Sequence, residues 1–79
     1  MNTVEDALSS AEREVLEHLL DGLTNVQIVE LLDRSDKTVK NHISHILERT
    51  GCVSRLELTV TVSKERLRIL KRKLRVARR

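Results

Sequence analysis

An all-α fold is what the sequence predicts, on three observations. Capping signals recur along the chain, at Ser9 with Glu12, Thr24 with Gln27, Ser35, and Ser54 with Glu57. Where Glu or Gln follows three residues on, each side chain can satisfy the other's free backbone N–H. The stretches these signals open carry apolar residues at helical spacing. Gly22 and Gly51 stand where a left-handed residue would end two of the helices.

Taken in order, residues 1–8 show little periodicity and are expected to fray, although Leu8 is a candidate to pack. The first helix runs from Ser9 to about Asp21, with Ala11, Val15, Leu16, Leu19 and Leu20 facing inward. Glu14, Glu17 and Asp21 form an acidic stripe on its far side. The second helix is opened by Thr24 and Gln27, with Ile28, Val29, Leu31 and Leu32 as its apolar face. A break at Asp33-Arg34 follows. Ser35 caps the third helix, and Asp36 lies in the first turn, where the dipole favours negative charge. Val39, Ile43, Ile46 and Leu47 make one stripe of this helix, and Lys37, Lys40, Asn41, Ser44 and Glu48 the opposite one. A fourth helix begins at Arg55, with Val53 and Leu58 placed as a hydrophobic staple. Leu23 and Ile28 are placed the same way for the second helix, whereas Arg34 cannot staple Val39.

Two helices joined by so short a connection must cross steeply, leaving the second free to present a narrow polar face to a DNA major groove. The donors there suit base edges: Lys reaches guanine, Asn pairs with adenine, and Ser serves either. A plain solvated face is the alternative for any one of these residues; caps, turn length and face together favour recognition.

Seventy-nine residues make one domain with a thin stability margin, which dimerisation would widen. A single cysteine, Cys52, excludes an internal disulfide and fits a reducing cytoplasm. No apolar run suggests a membrane span or signal peptide. Without Phe, Tyr or Trp the chain lacks the stacking platforms of single-strand and RNA-loop binders, which favours duplex DNA. The net charge of +3 is unevenly spread: residues 63–79 carry nine Lys or Arg against one Glu, a net +8, which leaves residues 1–62 at −5. An acidic body alone is poorly suited to phosphates.

The residues so far described resemble the LuxR-type, or GerE-like, helix-turn-helix domain found in bacterial response regulators of the NarL/FixJ type and in quorum-sensing receptors. The resemblance spans roughly residues 8–62 and is carried by Leu8, the run Glu12-Arg13-Glu14-Val15-Leu16, Gly22-Leu23-Thr24-Asn25, Ile28, Thr38-Val39-Lys40-Asn41-His42, Ile46, Gly51 and Ser54-Arg55-Leu56-Glu57-Leu58. It implies a four-helix domain whose third helix reads the major groove and whose fourth makes a two-fold dimer. Carried over by position, it places Lys40, Asn41 and Ser44 at base edges and Asn25, Ser35, Lys37, Thr38 and His42 near phosphates. The chain departs from the family pattern at Asp33, where Gly is frequent, at Arg34, where an aliphatic residue is usual, and at Val29 and Thr50.

His42, His45 and Cys52 have a spacing in which a metal site can be imagined, but no convincing fourth ligand accompanies them, so neither metal nor cofactor is expected. His42 more simply borders the core, and Cys52 reads as a small buried apolar residue. No nucleophile, base and orienting group fall into a catalytic pattern, so no enzyme is expected.

The expected organisation is a flexible 1–8, a helix-turn-helix domain over 9–62 and a basic amphipathic helix over 63–79. If the fourth helix continues unbroken, Leu56, Val60, Ser63, Leu67, Leu70, Leu74 and Ala77 form a coiled-coil seam. Leu56, Val60, Leu67, Leu70 and Leu74 are accordingly the dimerisation candidates. The flanks object, since Lys64, Arg66, Lys71 and Lys73 would face their like in a parallel pair. Thr59–Val62 is also a β-branched run able to interrupt the helix. The tail has three readings: a helix docked on an acidic surface of its own chain, a neighbour or a partner such as RNA polymerase or another regulator; an arm on the DNA backbone; or a membrane-surface helix, the least favoured.

The function expected is a stand-alone, dimeric, sequence-specific regulator of transcription in the cytoplasm, at the nucleoid. No receiver or ligand domain is present, so control would lie with abundance or a partner unless the chain is a fragment. Two alternatives stay open: a module forming mixed dimers with a larger LuxR-type regulator, and a factor resembling sigma region 4 that needs polymerase to bind a promoter.

Overall fold

The computed structural model describes residues 3–77, and side chains as far as Arg75. Ala77 of the seam has its side chain outside the described residues, as do Arg78 and Arg79 of the tail in full. A 3₁₀ turn at Val4–Ala7 precedes four helices: α1 (Ser10–Leu20), α2 (Asn25–Leu32), α3 (Asp36–Thr50) and α4 (Arg55–Ala77). The chain is all-α, as predicted.

Local chemistry starts and stops these helices where the sequence marks them. Ser9 Oγ accepts from Glu12 N–H while Ser9 N–H donates to Glu12 Oε1 at 2.9 Å, and Thr24 and Gln27 repeat the exchange at the start of α2. Ser35 Oγ accepts from Thr38 N–H for α3, and Ser54 Oγ from Glu57 N–H for α4. The first three helices end alike. A left-handed residue (Gly22, Asp33, Gly51) lets the next N–H turn back five residues, giving Leu23 to His18, Arg34 to Val29 and Cys52 to Leu47. Asp33, at φ 50°, therefore takes the conformation glycine takes at the other two ends, and the turn survives the substitution.

One apolar cluster joins all four helices. Leu16, Ile28, Ile46, Leu58, Val15, Val39 and Val62 are completely buried, with Leu8, Leu19, Ile43 and Cys52 around them. Each such side chain contributes about 1.5–3 kcal/mol by leaving water. α3 is central, packing on α1, α2 and the 3₁₀ turn, while α4 crosses α1 and α3.

Beneath α3 lies a charge. Glu12 is only 3% exposed, yet Ser9 N–H and the Arg49 guanidinium, 3.2 Å away, both serve its carboxylate. The Ser9 hydrogen bond foremost, with Arg49 adding, holds the carboxyl below the ordinary glutamate range against the opposing effect of burial.

Several expectations are corrected. Residues 3–8 do not fray: Thr3 N–H bonds Asp6, Val4 N–H bonds Glu65 of α4 at 3.1 Å, and Leu8 is buried. Ala11 and Leu31 face solvent, Leu31 at 61% exposure, because α1 and α2 each meet the core along a narrower arc than periodicity suggests. Val53 is 85% exposed, so it forms no staple, and Leu58 is buried without it. The β-branched run Thr59–Val62 does not interrupt α4; Val62 is packed in the core, and burial outweighs a helix propensity cost of a few tenths of a kcal/mol per residue. No helical boundary therefore falls at residue 62.

α4 would measure about 34 Å at 1.5 Å per residue. The molecule spans 48 Å along one axis and 23 and 21 Å across, so the C-terminal half of α4 stands clear of the body. Of the tail's described cations only Arg66 reaches the acidic stripe. It is bidentate to Glu5, at 2.7 and 3.1 Å, and also bonds Glu17, whose carboxyl it holds below the usual range.

Two outcomes are expected. Ile46→Ala should cost about 2–5 kcal/mol, much of the stability of so small a domain, as read by urea unfolding. Glu12 has its pKa depressed on folding, so its stabilisation is present above the unfolded value near pH 4.3 and disappears as pH falls through the folded one. Glu12→Gln should therefore lower the melting temperature at pH 7 and flatten its fall between about pH 5 and 3; a parallel fall in both proteins would count against this.

Candidate nucleic-acid interface

Burying Val39, Ile43 and Ile46 on one side of α3 leaves Lys37, Lys40, Asn41, Ser44 and Glu48 in solvent on the other. These positions, three and four apart, form one ridge along a helix about 22 Å long. α2 and its left-handed Asp33 turn hold α3 from behind, so the ridge is the outward edge of a helix-turn-helix.

Within the ridge, Asn41 and Ser44 are exposed, and among the described residues neither side chain is engaged in a hydrogen bond. Lys40 is exposed but paired: its ammonium sits 2.9 Å from Asp36, one turn earlier. That contact is worth at most a few tenths of a kcal/mol, so Lys40 is steered by it rather than sequestered. Asp36 also places a negative charge at the tip of α3, which opposes indiscriminate attraction to phosphate.

Of the residues expected near phosphates, Asn25, Ser35, Lys37 and Thr38 gather at the N-terminal ends of α2 and α3, and His42 lies farther along α3. Ser35 and Thr38 hydroxyls lie 2.8 Å apart, and Lys37 is exposed beside them. His42 is half-buried, bordering a cleft with Ala11, Glu14, Val15, Leu32 and Arg34. Asn25, in the first turn of α2, accepts a 2.9 Å hydrogen bond on Oδ1 from Arg55 of α4, and Arg55 also donates to Leu23 C=O at 3.1 Å. With its oxygen so held, the Asn25 amide keeps its N–H groups as donors. None of the eight residues expected at DNA is buried, and all but His42, which turns toward α1, lie at the leading ends or on the outer face of the helix-turn-helix.

Arg55 and Asp36 were missed as parts of the site. The Asp36–Lys40 pair is legible from its i, i+4 spacing. Arg55 carries no comparable signal, because its partners are 30 and 32 residues away. α4 exposes Leu56 and Val60, with Leu67, Leu70 and Leu74 following along the same face. Among the described residues no group of His, Cys, Asp and Glu is arranged to hold a metal ion, and no helix is long and apolar enough to cross a membrane.

Comparison with known proteins agrees with this architecture. The family model described as bacterial regulatory proteins, luxR family, matches residues 6–62. The nitrate/nitrite response regulator protein NarL of Escherichia coli K12 is 38% identical over 60 residues, which are 76% of this chain and 28% of NarL. The transcriptional regulatory protein DegU of Brevibacillus brevis is 43% identical over 53 residues, 67% of this chain and 22% of DegU. The transcriptional regulatory protein DesR of Bacillus subtilis is 41% identical over 59 residues, 75% and 29% of the two. The chain thus spans less than a third of the length of each of these relatives. Matched over its helix-turn-helix by the family model, and more than a third identical to each of these regulators across that stretch, the chain belongs to the LuxR family of bacterial regulatory proteins, as a DNA-binding domain of that type.

Proposed function

We propose that this domain binds duplex DNA sequence-specifically as a homodimer and thereby regulates transcription. The observation that carries the proposal is the exposed ridge on α3, backed by a helix buried enough to hold it rigid. Lys40, Asn41 and Ser44 take the base edges. Asn25, Ser35, Lys37, Thr38 and His42 take phosphates, with Arg55 orienting Asn25. Lys40 exchanges Asp36 for a base acceptor on docking, a swap of one weak surface pair for a desolvated, directional one.

The dimer forms where α4 helices cross at Leu56 and Val60, apolar residues of the body that are exposed in the single chain. Two α3 helices related by that two-fold would enter successive major grooves, about 34 Å apart.

Selection from random duplexes, followed by titration of the selected site, tests the reading. Asn41→Ala and Lys40→Ala are each expected to cost about 1–3 kcal/mol and to relax preference at one base pair, whereas Lys37→Ala should weaken every sequence alike. Uniform losses for all three would remove the base-edge assignment. Leu56→Lys is expected to yield a monomer in sedimentation that binds a single half-site but has lost cooperative binding to two; a dimer persisting in this variant would move the interface elsewhere.

A further inference from the structure

Beyond the body, the apolar face of α4 continues past Leu56 and Val60, the two residues on which the proposed dimer contact is placed. Leu67, Leu70 and Leu74 are 51, 52 and 53% exposed, on the side of the helix opposite Leu58 and Val62, which enter the core. Their spacing of three and four is that of a coiled-coil a/d seam, and the flanking e and g positions include Lys64, Lys71 and Lys73. Among the described residues these three lysines face no carboxylate.

We propose that this projecting half of α4 docks an acidic amphipathic helix of another protein, one with leucine-type residues along its seam and Glu or Asp on its flanks.

Charge complementarity selects this occupant. A second copy would bring lysine against lysine in either orientation, since both flanks carry the same sign. A DNA backbone would satisfy the cations yet leave the leucines in water, having no apolar surface to offer them. A bilayer surface is poorly matched by three leucines in a chain without any aromatic residue to sit at the headgroups. An acidic helix answers both features at once, its leucines interdigitating with Leu67, Leu70 and Leu74 while its carboxylates meet the lysines. The chain already uses this chemistry one turn earlier, where Glu5 and Glu17 converge on Arg66.

The test titrates the full chain into a labelled three-heptad peptide with Leu at a and d and Glu at e and g, whose self-association its own charges oppose. Expected are saturable one-to-one binding at low salt and at least tenfold weakening by Leu70→Asn, with helical content unchanged by circular dichroism. Joint Lys64→Glu, Lys71→Glu and Lys73→Glu should abolish that binding and confer binding to a peptide with Lys in place of Glu. The inference is overturned if the Glu and Lys peptides bind the unaltered chain equally, or if neither saturates. It is equally overturned if Leu70→Asn leaves the peptide affinity intact or dissociates the chain's own dimer. Vesicles containing phosphatidylserine that bind the chain through Leu67, Leu70 and Leu74 and displace the peptide would overturn it in favour of a lipid surface. DNA retardation measured on the same preparation is independent, so failure of this inference and failure of the DNA reading are told apart.

Discussion

Anchoring α3 on one side is the constraint from which the rest of this molecule follows. Val39, Ile43 and Ile46 enter a cluster to which α1, α2 and α4 all contribute, so rotating α3 by even one residue would bring a charged or amide side chain into a dry site. The cost of that error is several kcal/mol, a large share of what a domain of this size has to spare. The exposed ridge of α3 is therefore held by what lies behind it. Glu12 adds a polar anchor at the far end of the same interface: it closes the N-terminus of α1 through Ser9 and holds Arg49 in the last turn of α3. One side chain thus ties the start of one helix to the end of another, and its ionised form is kept because donors converge on it.

The uneven charge of the chain takes a structural form in α4. Its first half belongs to the body, with Leu58 and Val62 in the core and Arg55 reaching back to Asn25 at the start of α2. At its midpoint Arg66 gathers Glu5 and Glu17, drawing the N-terminal turn and α1 onto the helix. Past that point the helix leaves the body with its cations exposed. An acidic body and a basic projection thereby meet where one arginine serves two carboxylates. The exposed apolar residues of α4 run along one face from Leu56 and Val60 beside the body to Leu67, Leu70 and Leu74 on the projecting half, where exposed lysines flank them.

The turn between α2 and α3 shows how a departure from a family pattern can leave geometry intact. Asp33 replaces the usual glycine yet holds φ 50°, a left-handed conformation that Asp tolerates better than most residues. Arg34 is exposed and does not staple Val39, which is buried regardless in the cluster that all four helices share.

Helix starts, helix ends and the two faces of α3 were legible in the amino-acid sequence, because each depends on residues within a few positions of one another: a cap three residues away, a left-handed stop, an apolar stripe repeating every turn. For the same reason the exposed positions of Lys37, Lys40, Asn41 and Ser44 on α3 could be read from the sequence, whereas the turn of His42 toward α1 depended on packing. The outward turn of Ala11, Leu31 and Val53, the burial of Glu12, the order of residues 3–8 and the unbroken course of α4 were decided only in three dimensions. Those features rest on contacts between residues 30 to 61 positions apart, such as Arg55 with Asn25 and Glu65 with Val4, or on how much of a helix its neighbours cover. Local pattern says which side of a helix is apolar; only the packing of the other helices decides how wide an arc of that side is removed from water.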